Sequence, residues 1–96
     1  MLKLQFTDRA KDDLSAIVSY TKQNYGSKQA TLYIAGLREQ AIALTETPGI
    51  GKRRNDLEAD LQSFPFKSHV LYYFVDKFSL IVIRVLHKTM EPSEHI

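Results

Sequence analysis

The chain has 96 residues, 44% of them hydrophobic and 25% charged, with no cysteine and no tryptophan. That size fits one small domain, residues 1–96, with a single modest core, and leaves no room for a large multi-domain enzyme. Without cysteine there is no disulfide framework, CxxC redox pair or thiolate zinc site, and a formal charge of +2 is far below that of a protein that coats nucleic acid.

These features suit a reducing compartment, and the cytoplasm is the expected location. Lys3, Gln5, Asp8 and Arg9 interrupt the N-terminal apolar positions, so no signal peptide is expected. The longest apolar run, Val70 to Val75, has six residues, whereas a membrane-spanning helix needs about 20.

Leu2, Leu4 and Phe6 alternate with Lys3, Gln5 and Thr7, the two-residue period of a half-buried strand over residues 2–7. Thr7 or Asp8 can cap a following helix, in which Ala10, Leu14, Ile17, Val18, Thr21 and Tyr25 gather on one face. Gly26 ends that helix, and Ser27 is placed to cap the next. A second helix is predicted from about Lys28 to Thr47, with Ala30, Tyr33, Ile34, Leu37, Ala41 and Leu44 as its buried stripe and Pro48 beyond its end. Leu32 and Ile42 lie off the stripe, either as isolated exposed apolar residues, which are common, or as contacts for a partner.

Residues 48–54 (PGIGKRR) read as a loop, and the chain from there to Leu86 reads as strands. Pro65 marks residues 60–66 as an edge or a strand end. Residues 69–76 (HVLYYFVD) and 80–86 (LIVIRVL) are rich in β-branched and aromatic side chains, and the short gap between them predicts a β-hairpin. The fold class is therefore α+β, in the order β-α-α-β-β-β, with a helix hairpin on one face of a small, mainly antiparallel sheet.

Several features invite chemistry. Gly49-Ile50-Gly51-Lys52 is no phosphate-binding P-loop, because Arg53 stands where Ser or Thr is needed and a strand is expected next. Lys52, Arg53 and Arg54 read either as a solvated turn balanced by Asp56, Glu58 and Asp60 or as a local anion or partner site. His69, His87 and His95 have no metal-ligand spacing, so no metal site is expected, and His69 reads as a hydrogen-bonded strand-end residue. Arg84, the only charge in its strand, must reach solvent or pair with a carboxylate. Arg84 and His87 are three apart and converge only if the strand ends or bulges near Leu86. Together with Lys67 and the basic triplet they would permit, without specifying, RNA cleavage by 2′-hydroxyl attack.

The series Ala10, Asp13-Leu14, Ile17, Tyr20, then Gly26, Ala30, Tyr33 and Leu37, then Pro48-x-x-Gly51-x-x-Arg54, then Phe64 and His69 to Tyr73, resembles the RelE/ParE toxin superfamily. Its most specific piece is the C-terminal run of Arg84, Leu86, His87, Met90, Glu91 and His95, which is closest to the ParE branch, with Glu91 where aspartate is usual. The resemblance implies the derived fold and the toxin half of a type II toxin-antitoxin pair of a bacterium or its plasmid. It also implies a partly disordered ParD-like antitoxin partner in a hetero-oligomeric complex, and DNA gyrase as target.

RelE relatives cut mRNA on the ribosome, and a shared fold cannot separate the two activities. RelE-type sites use clustered basic residues and a C-terminal tyrosine or histidine, whereas here Lys88 follows His87 and no tyrosine comes after Tyr73. The expectation is a non-enzymatic gyrase inhibitor with no catalytic residue, no cofactor and no direct nucleic-acid contact. Arg84, His87, Lys88, Met90 and Glu91 form its candidate toxic surface, and Leu32 and Ile42 are its candidate antitoxin contacts. Ribosome-dependent mRNA cleavage is the alternative.

Overall fold

The computed structural model describes residues 1–96. Strand β1 (Lys3–Phe6) leads into helix α1 (Asp8–Tyr25). The Thr7 hydroxyl accepts the Ala10 N–H at 3.2 Å, capping α1, and donates to the Ile83 carbonyl at 3.0 Å. One side chain thus starts the helix and fixes it to the sheet. Helix α2 (Ser27–Glu46) follows directly, with Gly26 alone between the two helices. Gly26 has φ of +92°, a backbone conformation that side chains disfavour, so the hairpin turns on one residue that only glycine suits. Ser27, expected to cap α2, is instead its first helical residue and makes no side-chain cap, because the glycine occupies the capping position.

After a short 3-10 turn at Pro48–Ile50 come β2 (Lys52–Arg53), β3 (Gln62–Phe66), β4 (His69–Val75) and β5 (Ser79–His87). The strands form one five-stranded sheet in the order β1-β5-β4-β3-β2, with β1 parallel to β5 and the other neighbours antiparallel. Residues 48–54, read as a loop, contain the two-residue β2, which Lys52 and Arg53 form by pairing with Ser63 and Gln62. The order of elements and the mainly antiparallel sheet are those the periodicity predicts.

Alternation along β4 sends Leu71 and Tyr73 towards the helices and Tyr72 to the other face. On the helix side Ala10, Ile17, Leu37 and Leu44 pack with Leu71, Tyr73, Leu80, Val82 and Val85 to make the main core. On the open face Leu61, Tyr72 and Leu86 form a smaller cluster, against which Leu57, Ile83 and Ile96 rest. Tyr25, grouped with the helix stripe by its spacing, is 68% exposed: the last turn of α1 runs past the edge of the core.

Gly51 has a steric role. A β-carbon there would stand 2.1 Å from the Tyr73 hydroxyl and 3.1 Å from the Ser63 carbonyl oxygen. The buried Tyr73 hydroxyl donates to the Pro48 carbonyl at 2.9 Å, tying the 3-10 turn to the core, and burial pushes its pKa up. No helix is long and apolar enough to cross a membrane.

Candidate partner-binding site

A β-bulge organises the site. From Val75–Leu80 to Tyr73–Val82, β4 and β5 pair in one register, but Tyr72 pairs with Arg84, leaving Ile83 as an extra residue. Val82 and Val85 therefore both join the helix-side core, where strict alternation would separate them. The bulge lies before Arg84, not near Leu86. Arg84 and His87 keep the opposite orientations of residues three apart in a strand, and they do not converge.

Arg84 reaches α1 instead. Its Nε donates to Asp13 Oδ2 at 2.8 Å and its Nη2 to Oδ1 at 2.9 Å, while the Val85 N–H also donates to Oδ2 at 2.9 Å. The pair is largely shielded, the side chains being 11% and 15% exposed, and the Asp13 bonds hold the Arg84 pKa above its already high value. The remaining nitrogen, Nη1, donates to the His95 carbonyl at 2.7 Å. Arg84 is thus a clamp between α1, β5 and the tail.

The bulge also sets His87 opposite His69, a position Leu86 would hold in the unshifted register. The two imidazoles meet edge to face with ring centres 5.2 Å apart. His69 Nδ1 lies 2.7 Å from the Tyr33 hydroxyl, which also accepts the Ser68 N–H at 3.2 Å. Burial, then the neighbouring His87, lowers the His69 pKa, and burial raises that of Tyr33. As expected of a strand-end histidine, His69 is hydrogen-bonded.

These residues lie along an open groove of about 670 Å³ between the helix hairpin and the ends of β4 and β5. Ile17, Val85 and Leu86 line its floor but are nearly buried, while Tyr20 and Tyr25, 62% and 68% exposed, supply accessible apolar surface along it. His87 and Met90 line the same groove. Lys88 and Glu91 are exposed on the tail beside them; the Lys88 N–H donates to the Ser68 carbonyl at 2.8 Å. Glu91 accepts from the Ser93 N–H and hydroxyl at 3.3 and 3.0 Å, starting a 3-10 turn at Pro92–Glu94.

The other sequence candidates lie elsewhere. Arg54 is turned back onto Asp56, with two bonds of 3.2 Å, and lies 5.7 Å from the centre of the Tyr72 ring. That pair raises the Arg54 pKa and lowers that of Asp56. Lys52 and Arg53 stand exposed on the edge strand and form no salt bridge. The basic triplet is therefore divided. Leu32 and Ile42, 56% and 48% exposed, project from α2. Sequence reasoning did not place Tyr33, His69, Tyr20 and Tyr25 in one groove. The only signal was the hairpin register, which the bulge shifts by one residue.

Comparison with known proteins agrees with this architecture. A family profile described as the ParE toxin of the type II toxin-antitoxin system parDE matches residues 4–92. The chain is 33% identical over 96 residues to Toxin ParE1 of Caulobacter vibrioides, covering 100% of this chain and 99% of that protein. A solved structure from the chromosomal ParDE toxin-antitoxin system of P. aeruginosa superimposes with a TM-score of 0.79 at 19% identity, covering 91% of this chain and 96% of that one. At that identity the superposition speaks for the fold, with the same helix pair on a mixed sheet. The profile match and the full-length relative together establish that this chain belongs to the ParE toxin family of type II toxin-antitoxin systems.

Proposed function

We propose that this chain inhibits DNA gyrase by binding it directly in the cytoplasm, catalyses no reaction, and is neutralised by a partly disordered ParD-like antitoxin. The observation that carries this reading is the ParE-family match over residues 4–92, which includes the run Arg84-Val85-Leu86-His87-Lys88-Thr89-Met90-Glu91. Within that run Lys88, Met90 and Glu91 are the residues offered to a large target, next to the half-buried His87. Arg84 acts from behind, by fixing the tail.

The inhibitor reading also accords with the geometry around Arg84. Cleavage of mRNA by His87 and Arg84 would need the two groups to meet over one phosphate, and Arg84 instead spends its donors on Asp13 and His95. Binding needs no such convergence, no cofactor and no direct nucleic-acid contact.

The antitoxin segment is proposed to fold onto the helix hairpin, using the apolar groove and the exposed Leu32 and Ile42, in a hetero-oligomeric complex. Lys52 and Arg53, on the free edge strand, are a second contact for an acidic antitoxin tail. A supercoiling assay with purified chain and gyrase tests the reading: inhibition is expected, and its relief by added antitoxin. Unaffected supercoiling at large molar excess, with new codon-linked mRNA ends on induction, would replace it with the ribosomal activity.

A further inference from the structure

We propose that the groove takes an acidic, amphipathic segment of the antitoxin, whose apolar side chains lie along Tyr20, Tyr25 and Met90 and one of whose carboxylates accepts a hydrogen bond from His87 Nε2–H. This contact rests on the antitoxin reading of the groove and not on the choice of target.

The donor is set by the bonds behind it. The Thr89 N–H donates to His87 Nδ1 at 3.2 Å, and the Thr89 hydroxyl stands 2.8 Å from the same nitrogen. A ring nitrogen that accepts an N–H carries no proton of its own, so the neutral imidazole holds its proton on Nε2. That N–H has no acceptor in the protein. It is also open to solvent, since no buried side-chain nitrogen or oxygen lacks a partner.

The charges around it favour an anion. Asp13 is the one carboxylate that lines the groove, and Arg84 and the Val85 N–H take both its oxygens. Glu91, on the tail, is turned onto Ser93. From β4, His69 faces His87 with ring centres 5.2 Å apart and is held by the Tyr33 hydroxyl of α2. Lys67, between β3 and β4, lies over the Phe66 and Tyr33 rings at 5.4 and 6.0 Å, and Lys88 follows His87. Helix α1 adds Tyr20 and Tyr25, which are uncharged near neutral pH. This end of the groove therefore offers a donor and nearby cations but no uncommitted carboxylate. No lysine or arginine lines the groove itself to track a nucleic-acid backbone, so a peptide suits it better than RNA.

A carboxylate set against the Nε2–H favours the doubly protonated ring. Burial and the neighbouring ring oppose a charge on His69, which leaves His87 to carry it. Docking therefore takes up a proton, and the antitoxin grips more tightly as the pH falls from about 8 to about 6, a range in which the carboxylate itself stays ionised. A segment anchored there adjoins Lys88 and Met90 and so covers part of the surface offered to gyrase.

The test is calorimetric titration of the full chain with the purified ParD-like antitoxin at about pH 6 and about pH 8, in buffers of different ionisation enthalpy, alongside NMR of the histidine ring nitrogens. Net proton uptake is expected, with affinity about tenfold higher at the lower pH. The ring nitrogens of His87 should move to the imidazolium position on binding while those of His95 stay. H87Q should remove the proton uptake and level the two affinities, and H95Q should change neither. Should H87Q fail to fold, the proton count and the ring signals of the parent chain still decide. An antitoxin that does not bind at all would remove the antitoxin reading and this contact with it. Binding without proton uptake, or with the same pH dependence in H87Q, would overturn this contact alone. So would binding of single-stranded RNA, or self-association of the chain, that H87Q abolishes while antitoxin binding stays intact.

Discussion

Asp13 on α1 and Arg84 on β5, 71 positions apart in sequence, form a two-pronged ion pair with bonds of 2.8 and 2.9 Å, and the same carboxylate takes the Val85 N–H. Sequence and fold meet in this contact. Arg84 belongs to the C-terminal run on which the sequence resemblance rests, and its contacts in the fold are structural.

Replacing Asp13 with Asn should therefore destabilise the fold by about 3 kcal/mol, because it leaves a shielded guanidinium without its counter-charge. Urea unfolding will show this as a lower midpoint with an unchanged slope. Exchanging both residues for apolar ones, Asp13→Leu with Arg84→Met, should recover most of the loss. A double variant no better than Asp13→Asn would mean that the bond from the Val85 N–H, and not the charge pair, is what matters.

Gly51→Ala drives a methyl group into the Tyr73 hydroxyl and should cost about 1–3 kcal/mol. Tyr73→Phe alone loses the bond to the Pro48 carbonyl and should cost about 1 kcal/mol. Combined, the two changes should cost less than their sum, since removing the hydroxyl makes the space the methyl group needs. Strict additivity in thermal unfolding would contradict the steric account.

His69 should take up its proton at a lower pH than an exposed histidine, because burial and His87 oppose its charge. The unfolded chain protonates this residue near about pH 6.5. Stability linked to His69 is therefore fully present above that pH and is lost as the pH falls through the depressed folded value. Ring-proton NMR titration gives the pKa directly. The drop in unfolding midpoint from pH 7.5 to pH 5 should shrink in His69→Gln, and an unchanged drop would assign the effect to other groups.

Toxic action and antitoxin binding should separate by surface. Lys88→Ala, Met90→Ala and Glu91→Ala should together weaken gyrase inhibition at least about tenfold, or 1.4 kcal/mol, with only the small drop in unfolding midpoint that loss of the Glu91 bonds to Ser93 brings. Leu32→Asp with Ile42→Asp should instead reduce co-purification with the antitoxin and leave supercoiling inhibition intact. If the tail variants inhibit as well as the parent chain, the toxic surface lies elsewhere on the fold.

The elements visible in the sequence were those that bury one face over several turns or several alternations. Strand β1, both helices and the β4–β5 hairpin have that length and period. Strand β2 is two residues long, too short to show any period, and so Lys52 and Arg53 read as loop. The bulge at Ile83 was hidden for a different reason: the run 80–86 is apolar towards both faces, so an inserted residue leaves no break in its pattern. For Arg84 the sequence left solvent or a carboxylate partner open, and it could not point to Asp13, which lies on an element distant in sequence. The His69–His87 pairing was lost with the bulge.

The tail after β5 is held at both ends. The bond from the Lys88 N–H to the Ser68 carbonyl secures its start, while the bond from Arg84 to the His95 carbonyl and the packing of Ile96 on the open-face cluster secure its finish. Residues 89–94 thus form a short closed span in which much of the backbone freedom is already lost when the chain folds. A free peptide of the same sequence would have to lose that freedom at the moment of docking and should bind any target far more weakly. The clasp from Arg84 to His95 therefore leaves the tail ordered before it meets anything.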